Sequence, residues 1–528
     1  MFRLPRAFLA LFFGGAALVR ATTLSLDSAS IADLQAAFGA GALTSEKLTS
    51  LCLARIAAYD PKLHAIITLN PRALETARAL DAERKAGKIR GPLHGVPVIL
   101  KDNYDTSDLQ TSGGFFGLKG SVPPQDATLV QRLREGGAII LAKVNLSEFA
   151  SGGAMSSLGG QSHNPHNLDY SPAGSSGGTG VGIAAAYAPL GYGTDTGGSI
   201  RGPSTNNGIV GLKPTHGLLS RAGIIPLALS FDTGGPMART VADLAVSLNV
   251  TAGAPDPRDD ATKKSAGKIP PDYTKFLDAH ALKGARIGVA RDFFGEDAEV
   301  DTVIESALAA MKAQGATLID VKYPPVLHAI KTELYNTIRR PEFKWEIQDY
   351  LATLKPGFPK THADILALSE KITAPTPEGF LQNNGRLALY RQEAKALPLT
   401  DPVYLAAQTH GLAFVRDTLQ ALIDTNRLDA IVYPTSPRRP AKIGEEPAAV
   451  AGGDARPAPS NFANLSGFPD LIVPAGFTTN GLPIGISFFG PAFSEPKLLG
   501  LAFAYEQATH ARRTPVSTPP LPGETITY

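Results

Sequence analysis

Residues 152–217 restrict how this chain can fold more than any other stretch, because glycine and serine dominate them and charged residues are few. Such a composition is common in flexible linkers. Apolar segments such as IAAAYAPL and GIVGLKP are embedded in it, however, and a solvated linker does not need them. We therefore predict a tightly packed backbone in which glycine allows close approach and unusual dihedral angles.

Helical and strand patterns alternate on both sides of that stretch. Apolar residues recur at helical spacing in SEKLTSLCLARIAAY, where Ser45 is placed to cap the helix. The short β-branched run GVPVILKDN predicts a strand, and ATLVQRLREGGAIILAKVN predicts a helix followed by a strand. Residues 285–321 predict a βαβ unit. This alternation favours an α/β architecture.

Residues 331–425 carry long helical patterns, proline breaks and the only tryptophan, Trp345. We interpret this segment as an insertion, and such segments commonly carry substrate-specific surface. Three buried strands are predicted after it, in RLDAIVYPTSP, FPDLIVPAGF and GLPIGISFFG.

The composition excludes several classes of protein. The 528 residues include 50 Lys plus Arg and 48 Asp plus Glu, so the net charge of +2 leaves no excess for binding nucleic acid. The single cysteine, Cys52, allows no intramolecular disulfide, no cysteine-rich zinc site and no iron–sulfur cluster. Cys52 falls on the apolar face of its predicted helix, where we expect a buried small hydrophobe and not a catalytic thiol.

The ten histidines supply no HExxH pair, so the ligands of a hydrolytic zinc site are missing from the sequence. We expect structural roles for His94 and His216, and we expect neither a metal ion nor a cofactor.

The first residues have the layout of a secretory signal peptide. Arg3 and Arg6 precede an apolar run over residues 7–19, and a small-residue exit ends at Ala21. The alternative is an uncleaved membrane anchor, but this run of about 13 residues is shorter than the ~20 that span a bilayer. We predict cleavage after Ala21 and export to the periplasm or the medium, with no membrane attachment afterwards.

Lys101 stands directly after the apolar strand PVIL, which would carry an ammonium group to the end of a buried strand. Burial lowers the pKa of a lysine, and a neutral lysine beside a cleft can act as a general base. The alternative is that Lys101 forms an ion pair with a nearby carboxylate such as Asp102.

Two serine-containing runs follow: Ser175 and Ser176 lie in SPAGSSGGTG, and Ser199 lies in GTDTGGSIRGPS. The backbone N–H groups of residues 196–199 could curl into a nest that binds an oxyanion, because glycine permits the necessary dihedral angles. A hydroxyl at the end of such a nest is placed to attack the carbonyl whose oxygen the nest stabilises. A GGS tripeptide by itself is usually only a turn.

Together these runs resemble the amidase signature family. The matching segments are GVPVILKDN, SPAGSSGGTGVGIAAAYAPLGYGTDTGGSIRGPSTNNGIVGLKPTHG and GIIPLALSFDTGGPMARTVADLA, and the resemblance extends weakly from about residue 30 to about residue 515. It implies an α/β fold with a large, mixed, twisted β-sheet covered by α-helices on both faces. It also implies one amidase domain over residues 22–528, with a signature core at about 90–255 and a variable helical insertion at about 331–425.

The resemblance implies a Ser-Ser-Lys triad that works by the logic of nucleophile, base and orienting group. Ser199 would be the nucleophile, Ser175 would relay protons, and Lys101 would be the base. Ser175 would follow a cis peptide bond after Gly174. The acyl-enzyme on Ser199 would then be hydrolysed by water, so the expected partner is a peptide or small-molecule amide.

The resemblance also implies roles for residues around the triad. The backbone of Thr196, Gly197, Gly198 and Ser199 would form the oxyanion hole. Support would come from Ser176, Asp195 and Arg201. A pocket for the acyl group would include Phe149 and Ala150.

Other interpretations of the sequence remain open. GSSGG matches G-x-S-x-G, which would make Ser176 an α/β-hydrolase nucleophile, but NLDYSPA before it is not an apolar strand. An exported chain could be a periplasmic solute-binding protein, although a binding module needs no such lysine and serines. The amidotransferase subunit of the same family is a third possibility, and the export signal argues against it.

Within the family, RGPLHGVPVILKDN and SEPKLLGLAFAYEQATHARRTP are similar to bacterial peptide amidases. The loop GTDTGGS departs from the more acidic form expected in that subgroup. Small aliphatic or aryl amides are therefore alternative substrates.

Overall fold

The computed structural model describes residues 22–445 and 459–528. The predicted signal peptide, residues 1–21, lies outside the described residues. The strands are β1 Thr23–Ser25, β2 Ile66–Leu69, β3 Pro97–Lys101, β4 Ile139–Val144, β5 Met155–Ser156, β6 Gly160–Gln161, β7 Leu190–Asp195, β8 Val210–Lys213, β9 Thr233–Ala238, β10 Arg286–Ala290, β11 Thr317–Val321, β12 Ala430–Pro434, β13 Asp470–Phe477, β14 Pro483–Phe489 and β15 Thr525–Thr527.

The α-helices are α1 Ile31–Gly39, α2 Ser45–Leu63, α3 Ala73–Lys85, α4 Thr128–Glu135, α5 Gly177–Ala184, α6 Arg201–Asn206, α7 Val241–Thr251, α8 Ala298–Ala313, α9 Pro325–Ala352, α10 His362–Lys371, α11 Asn384–Ala394, α12 Pro402–Ala406, α13 Leu412–Asn426, α14 Phe462–Ser466 and α15 Glu495–Thr509. None of these helices combines the length and the apolar character that a membrane span requires.

One 11-stranded sheet organises the described part of the chain, in the order β11-β10-β12-β14-β13-β8-β9-β7-β3-β4-β2. The strand β3 runs parallel to both β4 and β7, and β10 runs parallel to both β11 and β12. The central pairs, from β12 through β14, β13, β8 and β9 to β7, are antiparallel. The sheet is therefore mixed, as predicted.

Helices cover both faces of this sheet, and β7 shows how. A Cβ atom on Gly191 would meet Thr179 of α5, whereas the hydroxyl of the next residue, Tyr192, is hydrogen-bonded to Ser247 of α7. Successive residues of a strand point to opposite faces, so α5 and α7 lie on opposite sides. The predicted α/β class with a helix-covered mixed sheet is confirmed.

The first long helix begins one residue away from where the sequence placed its cap. Thr44 is the N-cap of α2, since its Oγ1 accepts a hydrogen bond of 3.1 Å from the Lys47 backbone N–H. Ser45 is instead the first helical residue, and its N–H donates to Asp81. Cys52 is completely buried on this helix, and burial raises the pKa of its thiol to about 12, as suits a packing residue.

The helices α9 to α13 fill the connection between β11 and β12. They run from Pro325 to Asn426, close to the predicted helical insertion at about 331–425. Trp345 lies on α9, where its Nε1 donates to the Leu397 carbonyl at 3.1 Å. The division of the chain into a core and an insertion stays a prediction.

Candidate active site

Lys101 is the last residue of β3 and is completely buried. Because β3 and β7 are parallel, their carboxyl ends meet at one edge of the sheet, which places Lys101 beside Thr194. The Lys101 Nζ donates to Ser175 Oγ at 2.6 Å and to Thr194 Oγ1 at 2.8 Å. Asp102 forms its ion pair with Lys143 at 3.1 Å, so it is not the partner of Lys101.

The electrostatic setting of Lys101 favours a neutral amine. Burial lowers its pKa from 10.5 to about 7, even though the carboxylates of Asp195 and Asp232 act in the opposite direction. Near neutral pH a substantial fraction of this side chain is therefore able to accept a proton.

Ser175 and Ser176 lie where the chain enters α5. The Gly174–Ser175 peptide bond is cis. Ser176 is fully buried, and its Oγ bridges the N–H and carbonyl of Thr194, both at 3.2 Å. No strand leads directly into Ser176, because Gly160–Gln161 is the nearest preceding strand in the described residues. The strand–turn–helix context of an α/β-hydrolase nucleophile is thus missing here.

Ser199 lies in the short connection between β7 and α6. It lines a cleft of about 730 Å³ together with Gly197 and Gly198. Its carbonyl accepts a hydrogen bond of 3.1 Å from the Ser176 N–H, which fixes the two serine segments against each other. Ser175 and Ser199 both lie within the described residues, and their hydroxyl groups form no direct hydrogen bond with each other.

A buried ionic network holds the loop that carries Ser199. The Asp195 carboxylate accepts the N–H groups of Gly198 at 2.8 Å and Ile200 at 3.0 Å. Arg201 contacts the same carboxylate through Nε and Nη2, both at 3.2 Å, and Asn464 Nδ2 contacts it at 2.9 Å. Burial opposes ionisation of Asp195, but the Arg201 charge and these donors outweigh it and lower the pKa of Asp195.

The nest expected at residues 196–199 is only partly available to a ligand. The Gly198 N–H is engaged by Asp195, and Thr196 Oγ1 donates to the buried carboxylate of Asp232. That side-chain bond leaves the Thr196 N–H free, and the N–H groups of Thr196, Gly197 and Ser199 have no acceptor in the described part of the chain. Gly198 adopts a φ of 121°, which L side chains rarely adopt, so glycine is required at this point of the loop.

The two residues expected to line an acyl pocket differ in their placement. Ala150 lines the cleft, whereas Phe149 is buried behind it. The Phe149 ring packs against Phe115 at a centroid distance of 5.3 Å and against Phe343 of α9 at 5.9 Å. Phe149 therefore supports the wall of the cleft through an aromatic cluster and does not line the cleft.

Sequence reasoning missed several residues of this site. Thr194 and Asp232 lie inside segments that carry the family resemblance, GYGTDTGGS and LSFDTGG, but nothing in those segments separated them from their neighbours. Asn464 lies on α14, and Tyr335 lies on α9 and also lines the cleft. Both come from distant parts of the chain, where no local sequence pattern indicates a role in the site.

His94 and His216 contact the backbone. His94 Nε2 lies 3.0 Å from the Leu80 carbonyl, and His216 Nε2 lies 2.9 Å from the Leu229 carbonyl. Within residues 22–445 and 459–528, no group of three or more His, Cys, Asp or Glu side chains is arranged to hold a metal ion.

The amidase family model matches residues 47–499. The chain belongs to the amidase signature family. It is 40% identical to the peptide amidase of Stenotrophomonas maltophilia, with a TM-score of 0.83 over 92% of this chain and 98% of that one. It is 36% identical to a probable amidase of Arabidopsis thaliana, over 95% of this chain and 94% of the relative. It is 38% identical to a glutamyl-tRNA(Gln) amidotransferase subunit of Myxococcus xanthus, over 92% of this chain and 98% of the relative.

This amidase is therefore an enzyme that acts on amides, which sets aside the interpretation as a solute-binding protein. The similarity covers both the strands that position Lys101 and Asp195 and the long helical connection between β11 and β12.

Replacement of Thr194 by valine tests how much the activity of the amidase depends on the hydrogen bond between Thr194 and Lys101. Valine keeps the shape of threonine but removes the oxygen that accepts from Lys101 Nζ at 2.8 Å and from Asn103 Nδ2 at 3.1 Å. We expect kcat/KM for amide hydrolysis to fall roughly tenfold, which corresponds to about 1.4 kcal/mol. Steady-state kinetics measures this change.

The matched control is Thr302→Val, because Thr302 is an exposed threonine on α8 whose hydroxyl contacts only the Ala298 carbonyl. Equal activity of the Thr194→Val enzyme and the Thr302→Val control would show that the Thr194 hydroxyl does not matter.

Proposed function

We propose that this amidase hydrolyses the C-terminal amide of peptides to a carboxylic acid and ammonia, through an acyl-enzyme on Ser199. The substrate class is supported by the 40% identity to a peptide amidase over nearly the whole of both chains. The mechanism is supported above all by the 2.6 Å hydrogen bond from Lys101 Nζ to Ser175 Oγ, which joins a buried lysine of lowered pKa to the serine beside the cleft.

In the proposed relay, neutral Lys101 accepts the proton of Ser175 while Ser175 accepts the proton of Ser199. The Ser199 oxygen then attacks the amide carbonyl. The hydrogen bond between the two serines would form in the substrate complex, since catalytic hydrogen bonds are often loose before substrate binds. The protonated lysine returns its proton through Ser175 to the leaving nitrogen, and water hydrolyses the ester on Ser199.

The negative charge that develops on the carbonyl oxygen needs donors fixed in advance. The N–H groups of Thr196, Gly197 and Ser199 are the candidates, because all three belong to the loop that lines the cleft. Asp195 orients that loop by binding the N–H groups of Gly198 and Ile200, and Arg201 and Asn464 hold Asp195 in turn. In this proposal Asp195, Arg201 and Ser176 position the nucleophile and take no part in proton transfer.

The cleft has room for the end of a peptide. Its volume of about 730 Å³ lies within the range of about 300–1,000 Å³ that is usual for ligand sites. Lys331 and Tyr335 of α9 also line it. The helical connection between β11 and β12 therefore supplies part of the surface that would select the substrate.

The amidotransferase relatives give a second candidate function, supported by the 38% identity to the Myxococcus xanthus protein. An enzyme of that type would act on an amide in concert with a partner, whereas a peptide amidase would act alone. Hydrolysis of a free peptide amide by the purified chain separates the two proposals.

Replacement of Ser199 by alanine tests both the nucleophile and the substrate class. The mature enzyme should release ammonia from an N-blocked dipeptide amide, and the Ser199→Ala variant should lose at least about 10³-fold in kcat, because its nucleophile is missing. Colorimetric detection of ammonia measures the rate.

Ser306→Ala is the control for that experiment, since Ser306 is exposed on α8 and bonds only the Thr302 carbonyl. Retained activity in Ser199→Ala would refute the nucleophile. If the wild-type enzyme hydrolyses anilides, esters or aliphatic amides but not peptide amides, the proposed substrate class is wrong.

The pH dependence of kcat/KM tests the base. Lys101 must be neutral to accept a proton, so activity should be low when Lys101 is protonated and should rise as pH increases through about 7. Burial also lowers the pKa of Lys213 to about 7, but its Nζ donates only to the carbonyls of Pro214 and Phe468.

Lys101→Met should therefore abolish the rise near pH 7, and Lys213→Met should keep the midpoint where it is. If the midpoint follows Lys213 and not Lys101, the assignment of the base is wrong. Circular dichroism of both variants checks that each is folded.

We also propose that the enzyme is exported. The support is the sequence of residues 1–21, with two arginines before an apolar run and Ala21 at the exit. N-terminal sequencing of enzyme from the periplasmic and extracellular fractions should give Thr22 as the first residue, and a chain that begins at Thr22 should stay in the cytoplasm. Full-length enzyme confined to the cytoplasm would contradict export.

A further inference from the structure

A second cavity, of about 400 Å³, lies at the edge of the sheet opposite the candidate active site. Arg239 lines it and directly follows β9, where Ala238 pairs with Leu190 at the start of β7. Asp195, at the catalytic edge, pairs with Thr233 at the other end of β9. Five residue steps along a strand separate the two edges by about 16 Å.

Two arginines that line this cavity carry N–H groups with no hydrogen-bond partner in the described part of the chain. Arg239 is buried and donates from Nη1 to the Ala188 carbonyl at 3.0 Å and from Nη2 to the Ala29 carbonyl at 2.9 Å, while its Nε is unpartnered. The Nε and Nη2 atoms of Arg512, just after α15, are also buried and unpartnered. Neither guanidinium forms an ion pair within the described residues.

Three carboxylates attract these arginines: Asp27 acts on both, Asp243 on Arg239, and Glu506 on Arg512. Asp243 and Glu506 are also engaged at helix ends. Asp243 accepts the Ile31 N–H at 2.8 Å, at the first residue of α1. Glu506, which lines the cavity, accepts the Val241 N–H at 2.9 Å, at the first residue of α7. Helix N-termini attract negative charge, so these contacts hold the carboxylates against the helix ends.

We propose that this cavity is a binding site for a small oxyanion, a carboxylate or a phosphate, held by Arg239 and Arg512. The guanidinium groups offer planar N–H donors that match both kinds of oxyanion. A buried, unpaired charge is unfavourable, and a bound anion would remove that penalty.

Arg512 is the residue to change, because its guanidinium makes no hydrogen bond with the rest of the described chain. Arg239 holds two backbone carbonyls, so its replacement would disturb the fold as well as the cavity. The neighbouring Arg513 provides a matched control: it is exposed, and its guanidinium packs over the Phe477 ring at 4.8 Å.

The experiment is calorimetric titration of the mature enzyme, residues 22–528, with sodium phosphate and, separately, with sodium succinate, at ionic strength matched with sodium chloride. We expect the wild-type enzyme and Arg513→Gln to bind at least one of the two anions. Arg512→Gln should bind the same anion at least tenfold more weakly. The anion with the lower Kd shows whether the site is built for a phosphate or a carboxylate.

Two outcomes would overturn the site. One is binding of neither anion by the wild-type enzyme, and the other is equal affinity in Arg512→Gln and Arg513→Gln. Thermal unfolding of each variant without the anions confirms that a loss of binding is not a loss of fold. Because the cavity is remote from Ser199, amide hydrolysis by Arg512→Gln should remain close to wild type.

Discussion

The burial of Lys101 is the constraint on which the rest of the candidate site depends. A lysine at the end of a buried strand loses its hydration, and its amine then holds a proton only weakly. An adjacent carboxylate would reverse this effect. In this enzyme Nζ contacts hydroxyl groups, while Asp102 is paired with Lys143 and Asp195 with Arg201. The surrounding charges are thus partnered in a way that leaves Lys101 able to be neutral.

The glycine-rich stretch follows from the same requirement. Ser175 reaches Lys101 only if α5 approaches the ends of β3 and β4 closely. A Cβ atom on Gly178 would collide with the backbone of Asn145 after β4, and one on Gly174 would collide with the Ser147 side chain. Glycine at these positions removes the obstacle. Close packing, predicted from the apolar segments inside the stretch, explains the composition better than linker flexibility does.

The sequence predicted those parts of the enzyme that local patterns encode. The alternation of apolar runs indicates β3, β4 and the βαβ unit, and Lys101 was conspicuous as a charge at the end of an apolar strand. Residues that reach the site from distant segments have no such pattern. For this reason the sequence did not indicate Asn464, which donates a hydrogen bond to Asp195. The predicted cap of α2 was wrong by one residue, because Thr44 and Ser45 are both good capping residues. Only the backbone geometry decides between them.

The two edges of the sheet differ in how their charges are partnered, and this difference bears on function. At the edge that carries Lys101, Asp195 accepts from Arg201, and Lys101 contacts the hydroxyl groups of Ser175 and Thr194. At the opposite edge the helix N-termini engage Asp243 and Glu506, and neither Arg239 nor Arg512 forms an ion pair within the described residues. Each arrangement leaves a basic group without an ion pair in the described part of the chain. A lysine so placed can lose its proton and act as a base, whereas an arginine keeps its proton and is suited to bind an anion.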